Sequence, residues 1–244
     1  MEWTDHSIIL GASKFGEADA IVDVLSKDFG RYKGFVRGGM GRSKRSLLQP
    51  GNEAKITWRA RLEESLGSVT LDPMTQRAAH LFGSPDRLAA LSGATSTLIH
   101  CLPEREASPR VFDALIALLD LIEQDDVPAE QWGIGFVRFE MGLLGAMGFG
   151  LDLSSCAATG EIEDLIYVSP RSACAVSREA GAPYHDKLFP LPAFMKGGVD
   201  ASLDEIGQGL DITAYFLDRH MLGAMGRTLP DARFRLRDYF STEK

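Results

Sequence analysis

The sequence predicts an α+β chain: a small closed barrel of five strands, then a helical body that a loop-rich segment interrupts. Three observations predict it. Residues 53–62 alternate strictly, with Ala54, Ile56, Trp58, Ala60 and Leu62 on one face and Glu53, Lys55, Thr57, Arg59 and Arg61 on the other. That is the period of a half-buried strand. Turn signals punctuate the first stretch at short intervals: Lys27-Asp-Phe-Gly30, Pro50-Gly51 and Asp72-Pro73. From about residue 74 the apolar positions recur instead at three and four, the spacing of a helix face.

Each element follows in order. Ser7-Ile-Ile-Leu10 is an apolar run before Gly11, and Ala20-Ile-Val-Asp-Val-Leu25 is a second strand. Arg31-Tyr-Lys-Gly-Phe-Val-Arg37 pairs with it as a hairpin across the turn at Gly30. Residues 53–62 form the fourth strand and Leu66-Gly-Ser-Val-Thr-Leu71 the fifth. Five short strands in about 70 residues suit the five-stranded OB-fold. Helices follow on the stripes Leu88, Leu91, Ala94, Thr95, Leu98 and Ile99; then Val111, Leu115, Leu118, Leu119 and Ile122; then Trp132, Phe136, Phe139, Leu143, Leu144 and Met147. Residues 152–198 lose this pattern, and Leu165–Val168 and Ala173–Val176 read as a hairpin. A helix returns at 203–224. The expected domains are therefore 1–78 (barrel), 79–151 with 200–244 (helical) and 152–199 (a ribbon-like hairpin and loop insertion).

The chain has 244 residues and formal net charge −8, a balance that by itself argues against a polyanion ligand. The average conceals an asymmetry. Residues 81–244 carry net −10, whereas residues 27–61 hold 10 basic and 2 acidic side chains, net +8. Beyond a Debye length of roughly 8–10 Å the acidic remainder is largely screened. The basic charge centres on Arg37-Gly-Gly-Met-Gly-Arg-Ser-Lys-Arg45, which has four cations and no acid. Period two puts Arg31, Lys33, Phe35 and Arg37 on one strand face and Lys55, Thr57, Arg59 and Arg61 on another. With Arg42, Lys44 and Arg45 on the connecting loop, the expectation is a groove that tracks phosphates, with Phe35 or Tyr32 as a ring for base stacking. Glycines let such a loop adapt and bring backbone N–H groups to an anion. The competing reading is a solvated strand face whose charges prevent edge-to-edge aggregation.

Other chemistry is excluded by spacing. A phosphate-binding P-loop needs Lys directly after its second glycine, but Gly41 is followed by Arg42-Ser43-Lys44. No Gly-x-Ser-x-Gly or His-Glu-x-x-His occurs, and His6, His80, His100, His185 and His220 are scattered. None of these motifs calls for a cofactor, and a catalytic set assembled only in three dimensions stays open. Cys156-Ala-Ala-Thr159 and Cys174-Ala-Val-Ser177 keep the spacing of a zinc ribbon. Hydroxyls stand where the second thiols belong, so no metal is expected and the two cysteines read as buried and unreactive. The odd cysteine count suits a reducing cytoplasm. No apolar run reaches membrane-spanning length, and MEWTDHSIIL lacks the pattern of a signal peptide.

Several blocks resemble the bacterial DNA repair family RecO: Phe15-Gly-Glu-Ala-Asp-Ala-Ile-Val, Phe29-Gly-Arg-Tyr-Lys-Gly, Arg37-Gly-Gly, Leu151-Asp-Leu-Ser-Ser-Cys-Ala-Ala-Thr-Gly160 and Tyr167-Val-Ser-Pro-Arg-Ser. The later blocks are similar to alphaproteobacterial members. The resemblance implies an N-terminal OB-fold, a helical domain and a zinc-ribbon-like insertion. It implies a non-enzymatic recombination mediator without cofactor that binds single- and double-stranded DNA and anneals strands. With RecR, such a protein helps load RecA on DNA coated by single-strand-binding protein (SSB). Arg31, Lys33, Arg37, Arg42, Lys44 and Arg45 fall in the family's basic region. For the SSB tail, Arg219, Arg227, Arg233, Arg235 and Arg237 are candidates. Competing expectations are a protein-interaction adaptor with incidental nucleic-acid affinity, an RNA-binding OB protein, and a hydrolase whose site assembles only in three dimensions.

Overall fold

The structure, a computed structural model, describes residues 1–62, 64–223 and 226–241. The chain packs as two compact units, one of residues 1–123 with 230–233, the other of 124–229 with 234–244.

The first unit is built on a closed barrel of strand order β1-β2-β3-β5-β4. Its strands are β1 (Glu2–Phe15), β2 (Asp19–Ser26), β3 (Gly30–Val36), β4 (Glu53–Arg59) and β5 (Gly67–Thr75). Neighbours pair antiparallel except β3 and β5, which close the barrel in parallel through Gly34↔Gly67 and Phe35↔Ser68. Closure is tight there: a β-carbon on Gly67 would enter the indole of Trp58. Inside the barrel, Trp3 stacks on Trp58 at 6.1 Å, and Tyr32 meets both rings edge-on at 5.1 and 5.2 Å. Val22, Val24, Ile56 and Val69 fill the remainder.

β1 runs well beyond the apolar core of residues 7–10 that the sequence marks. Its second half pairs with β2 past a register shift between Ile9 and Gly11. Ile8, Ile9 and Leu10 are all buried. This run does not alternate because both faces are covered: Ile9 points into the barrel, and helix α3 (Pro85–Cys101) packs on β1 from outside, with Ile99 against Gly11. That apolar outer face is why α3 and its neighbour α4 (Pro109–Glu123) belong with the barrel. In α4 the whole predicted stripe Val111, Leu115, Leu118, Leu119 and Ile122 is buried.

Strand β4 ends at Arg59, so Leu62 is exposed rather than inward, contrary to the alternation carried through residue 62. β5 continues through Pro73, which the β3 pairing leaves unopposed on one side, where proline's missing N–H costs nothing. The turn before β3 depends on Gly30, with φ +79° and a β-carbon position that would strike the Glu106 carbonyl. Gly30→Ala is expected to lower stability by about 1–3 kcal/mol, readable as a reduced urea midpoint.

In the second unit α5 (Ala129–Ala146) packs on α7 (Leu203–Leu217). Trp132, Phe136, Ile206 and Leu210 are buried, and Glu140 inside this unit accepts a 2.5 Å hydrogen bond from the Thr213 hydroxyl. α7 starts with a capping box between Ser202 and Glu205. The intervening segment forms a three-stranded sheet of β6 (Leu165–Val168), β7 (Ala175–Ser177) and β8 (Phe189–Pro190), with β6 central, and a one-turn helix α6 (Arg178–Gly181) follows β7. The fold class is thus the expected one: an N-terminal five-stranded barrel followed by helices. No helix among the described residues is long and apolar enough to cross a membrane.

Candidate nucleic-acid interface

The basic stretch after β3 folds more than its glycines suggest. Gly38 donates to the Asp19 carboxylate at 2.7 Å and Met40 to the Ala18 carbonyl at 2.9 Å, so the stretch lies along the β1–β2 turn. A short helix, α1 (Arg42–Leu47), follows, where a flexible loop is the expectation. Leu48 at its end is buried in the barrel core and pins it. Arg37, Arg42, Lys44 and Arg45 are all exposed, and among the described residues none of them has a carboxylate partner. Lys44 folds its ammonium onto the Arg37 carbonyl at 2.8 Å. These four exposed cations follow one another along a nine-residue stretch, and among the described residues none is in an ion pair, although the Asp19 carboxylate is held against the stretch by the Gly38 N–H.

The other predicted residues are placed differently. Arg31 is outward on β3, as period two requires, but it is buried under the segment after α3. Its guanidinium binds both oxygens of Asp23 at 2.9 and 3.2 Å, the Leu102 carbonyl at 2.7 Å and Glu104 at 3.3 Å. Arg31 therefore leaves the phosphate-contacting set: it is a structural cation. Burial raises the Asp23 carboxyl above its ordinary range, with the Arg31 guanidinium opposing. Lys33 is half exposed and binds Glu104 at 2.7 Å. Burial pushes the Glu104 carboxyl up, but Lys33 and Arg31 outweigh it and hold the group below its usual value. Tyr32 is inside the barrel and offers no ring to a base. Phe35 is partly exposed, edge-on to Phe15 at 5.9 Å, and Phe15 is half exposed.

On β4, Lys55, Thr57 and Arg59 do face outward together. Each cation there has an acid nearby. Arg59 pairs with Glu2 at 2.7 Å, and their hydrogen bond holds the Glu2 carboxyl low. Lys55 sits opposite Asp72 in the β4–β5 register. Arg61 is exposed just beyond the strand end. The nine candidates therefore divide into an unneutralised group (37–45), a mixed face (55–61) and a buried or bridged pair (31, 33). Sequence spacing could not separate these, because the acids that matter come from positions 2, 23, 72 and 104.

The hairpin segment also differs from expectation. Cys156 is buried but Cys174 is only half-buried. Burial pushes the Cys156 thiol up, yet hydrogen bonding around its sulfur, with the Ser177 N–H donating to Sγ at 3.3 Å, outweighs it and brings it to about 6. Cys156 is thus buried as expected, but its thiol is held toward the thiolate form. A zinc ion does not fit this donor set: Thr159 donates to Glu161, Cys174 donates to the Ser172 carbonyl, and no group of three His, Cys, Asp or Glu side chains converges among the described residues. A thiol lowered in the folded state binds fewer protons there, so its stabilisation is full above pH 9 and fades as pH falls through about 6. The stability advantage of the wild type over Cys156→Ala is expected to grow from pH 6 to pH 9 in urea unfolding.

Of the arginines weighed for an SSB tail, Arg233 is buried and drops out. Arg237 is bound to both oxygens of Asp211 at 2.7 and 2.8 Å, and Arg219 to the Tyr215 hydroxyl at 2.8 Å. Arg227 and Arg235 remain exposed.

Comparison with known proteins matches this architecture along its length. The family described as "Recombination protein O N terminal" matches residues 1–76, the barrel, and "Recombination protein O C terminal" matches residues 83–228. A protein of Rhodospirillum rubrum named "DNA repair protein RecO" is 48% identical over 238 residues, covering 96% of this chain and 94% of its own. The protein of that name from Caulobacter vibrioides is 46% identical over 241 residues, covering 98% and 97%. One from Beijerinckia indica is 44% identical over 236 residues, covering 96% and 92%. Two family matches that together span the barrel and most of the later chain, with relatives this similar over nearly full length, place the chain in the recombination protein O (RecO) family.

Proposed function

We propose that this protein is a DNA-binding recombination mediator of recombinational repair. It holds single- and double-stranded DNA on the barrel, anneals complementary strands and, with RecR, helps load RecA on SSB-coated DNA in the cytoplasm. The observation that carries the reading is the group of unneutralised cations at Arg37, Arg42, Lys44 and Arg45 on the barrel of a RecO-family chain. A rigid barrel positions them, and phosphate contacts of this type supply affinity without reading sequence. Lys55, Arg59 and Arg61 extend the surface more weakly, since local acids offset them. The reading includes no catalytic step. One observation favours a protein adaptor instead: Arg31, Lys33 and Arg59 spend their charge on Asp23, Glu104 and Glu2.

Fluorescence anisotropy of a labelled single-stranded oligonucleotide distinguishes the two. The mediator binds at about 50 mM salt and releases steeply toward about 200 mM. No binding by the wild type at the lower salt would overturn the mediator reading and favour the adaptor.

A further inference from the structure

Beside the basic helix lies a cleft of about 500 Å³, within the range of small-molecule sites. Arg42 and Arg45 of α1 line one side, with Gln49. Gln76 and Phe82 line the other. Phe82 is 71% exposed. It sits in the tight turn Leu81–Gly83, whose first residue, Leu81, points inward and is buried while Phe82 is turned to solvent.

This far wall is rigid. The four-residue helix α2 (Arg77–His80) carries Arg77, which is buried and binds Glu53 at 2.7 Å, Asp120 at 2.6 Å and Glu123 at 2.6 Å. The Ala78 N–H donates to the Asn52 side chain at 3.2 Å. Asn52 in turn donates to the Ser46 and Leu47 carbonyls of α1, at 2.9 and 3.2 Å. One asparagine therefore ties both walls together. The backbone that leads to Phe82 is thereby held in place, so less backbone ordering is needed on binding.

We propose that this cleft takes one unstacked base of a single strand, with Phe82 as the stacking ring and Arg42 and Arg45 on the flanking phosphates. The inference rests on the DNA-binding reading above and adds a base-contacting subsite to it. Stacking explains a large exposed ring next to cations better than phosphate contact alone does, because a phosphate gains nothing from a phenyl face. The amides of Gln49 and Gln76 offer both donors and acceptors, so the cleft does not demand one base.

The test compares a thymidine oligonucleotide with one of equal length and phosphate number carrying abasic sites, by anisotropy at fixed salt, for wild type, Phe82→Ala and Phe82→Trp. Phe82→Ala is expected to weaken binding to the base-bearing strand about five- to a hundredfold, leave the abasic strand unchanged and keep the salt slope. Phe82→Trp is expected to retain or strengthen binding. Equal weakening on both strands, or none on either, overturns the subsite while the loop cations stand. Failure of the wild type to bind any strand at low salt overturns the DNA-binding reading itself, and the subsite with it. Phe82 is exposed, so its alanine variant keeps the core intact.

Discussion

Replacing Arg37, Arg42, Lys44 and Arg45 together by alanine is expected to flatten the salt dependence of single-strand binding by about 2.8 in log–log slope, at roughly 0.7 for each phosphate no longer neutralised. Between about 50 and 200 mM salt, the wild type should then lose about fiftyfold more affinity than the variant. The four side chains are exposed and none contributes to the barrel core, so the variant should unfold at the same urea concentration as the wild type. The control is Lys55→Ala with Arg59→Ala and Arg61→Ala. On that face Glu2 pairs with Arg59 and Asp72 lies opposite Lys55, so these cations neutralise fewer phosphates and their removal should flatten the slope less. An unchanged slope in the four-site variant would move DNA off this end of the barrel.

Arg31→Ala is expected to lower stability by about 3–5 kcal/mol, the usual result of removing one partner from a buried pair. The guanidinium is the ionic partner of Asp23, closes on the Leu102 carbonyl and reaches Glu104. Without it, a carboxylate whose protonation burial already favours is left facing a low-dielectric wall. The pH dependence gives a second check. A carboxyl raised by folding destabilises once it ionises, so the deficit of Arg31→Ala relative to wild type should shrink as pH falls into the aspartate range. Adding Asp23→Asn to Arg31→Ala should recover part of the loss at neutral pH. Urea unfolding measures all three. The DNA salt slope of the folded variant should match the wild type, which separates this cation from those of the loop.

Sequence periodicity alone indicates the kind of fold. Alternation in residues 53–59 and helical stripes such as that of Val111, Leu115, Leu118, Leu119 and Ile122 are local periodicities, and local periodicity is a property of the chain before it packs. The concentration of positive charge in residues 27–61 was equally legible, since it needs only counting. Individual roles were not. Arg31 and Arg37 both fall on the outer face of the β3 stretch, yet one is sealed against Asp23 and Leu102 and the other is open to solvent. The tertiary structure made that choice, because residues 102–104, distant in sequence, cover the strand at one end only. The same holds for Phe82 and Gln49, which no spacing rule brings together. Periodicity assigns a side chain to a face, but which faces are then covered depends on segments folded from elsewhere in the chain. Burial and ion pairing, the two quantities that turn a cation into a site or a strut, therefore appear only once the chain has packed.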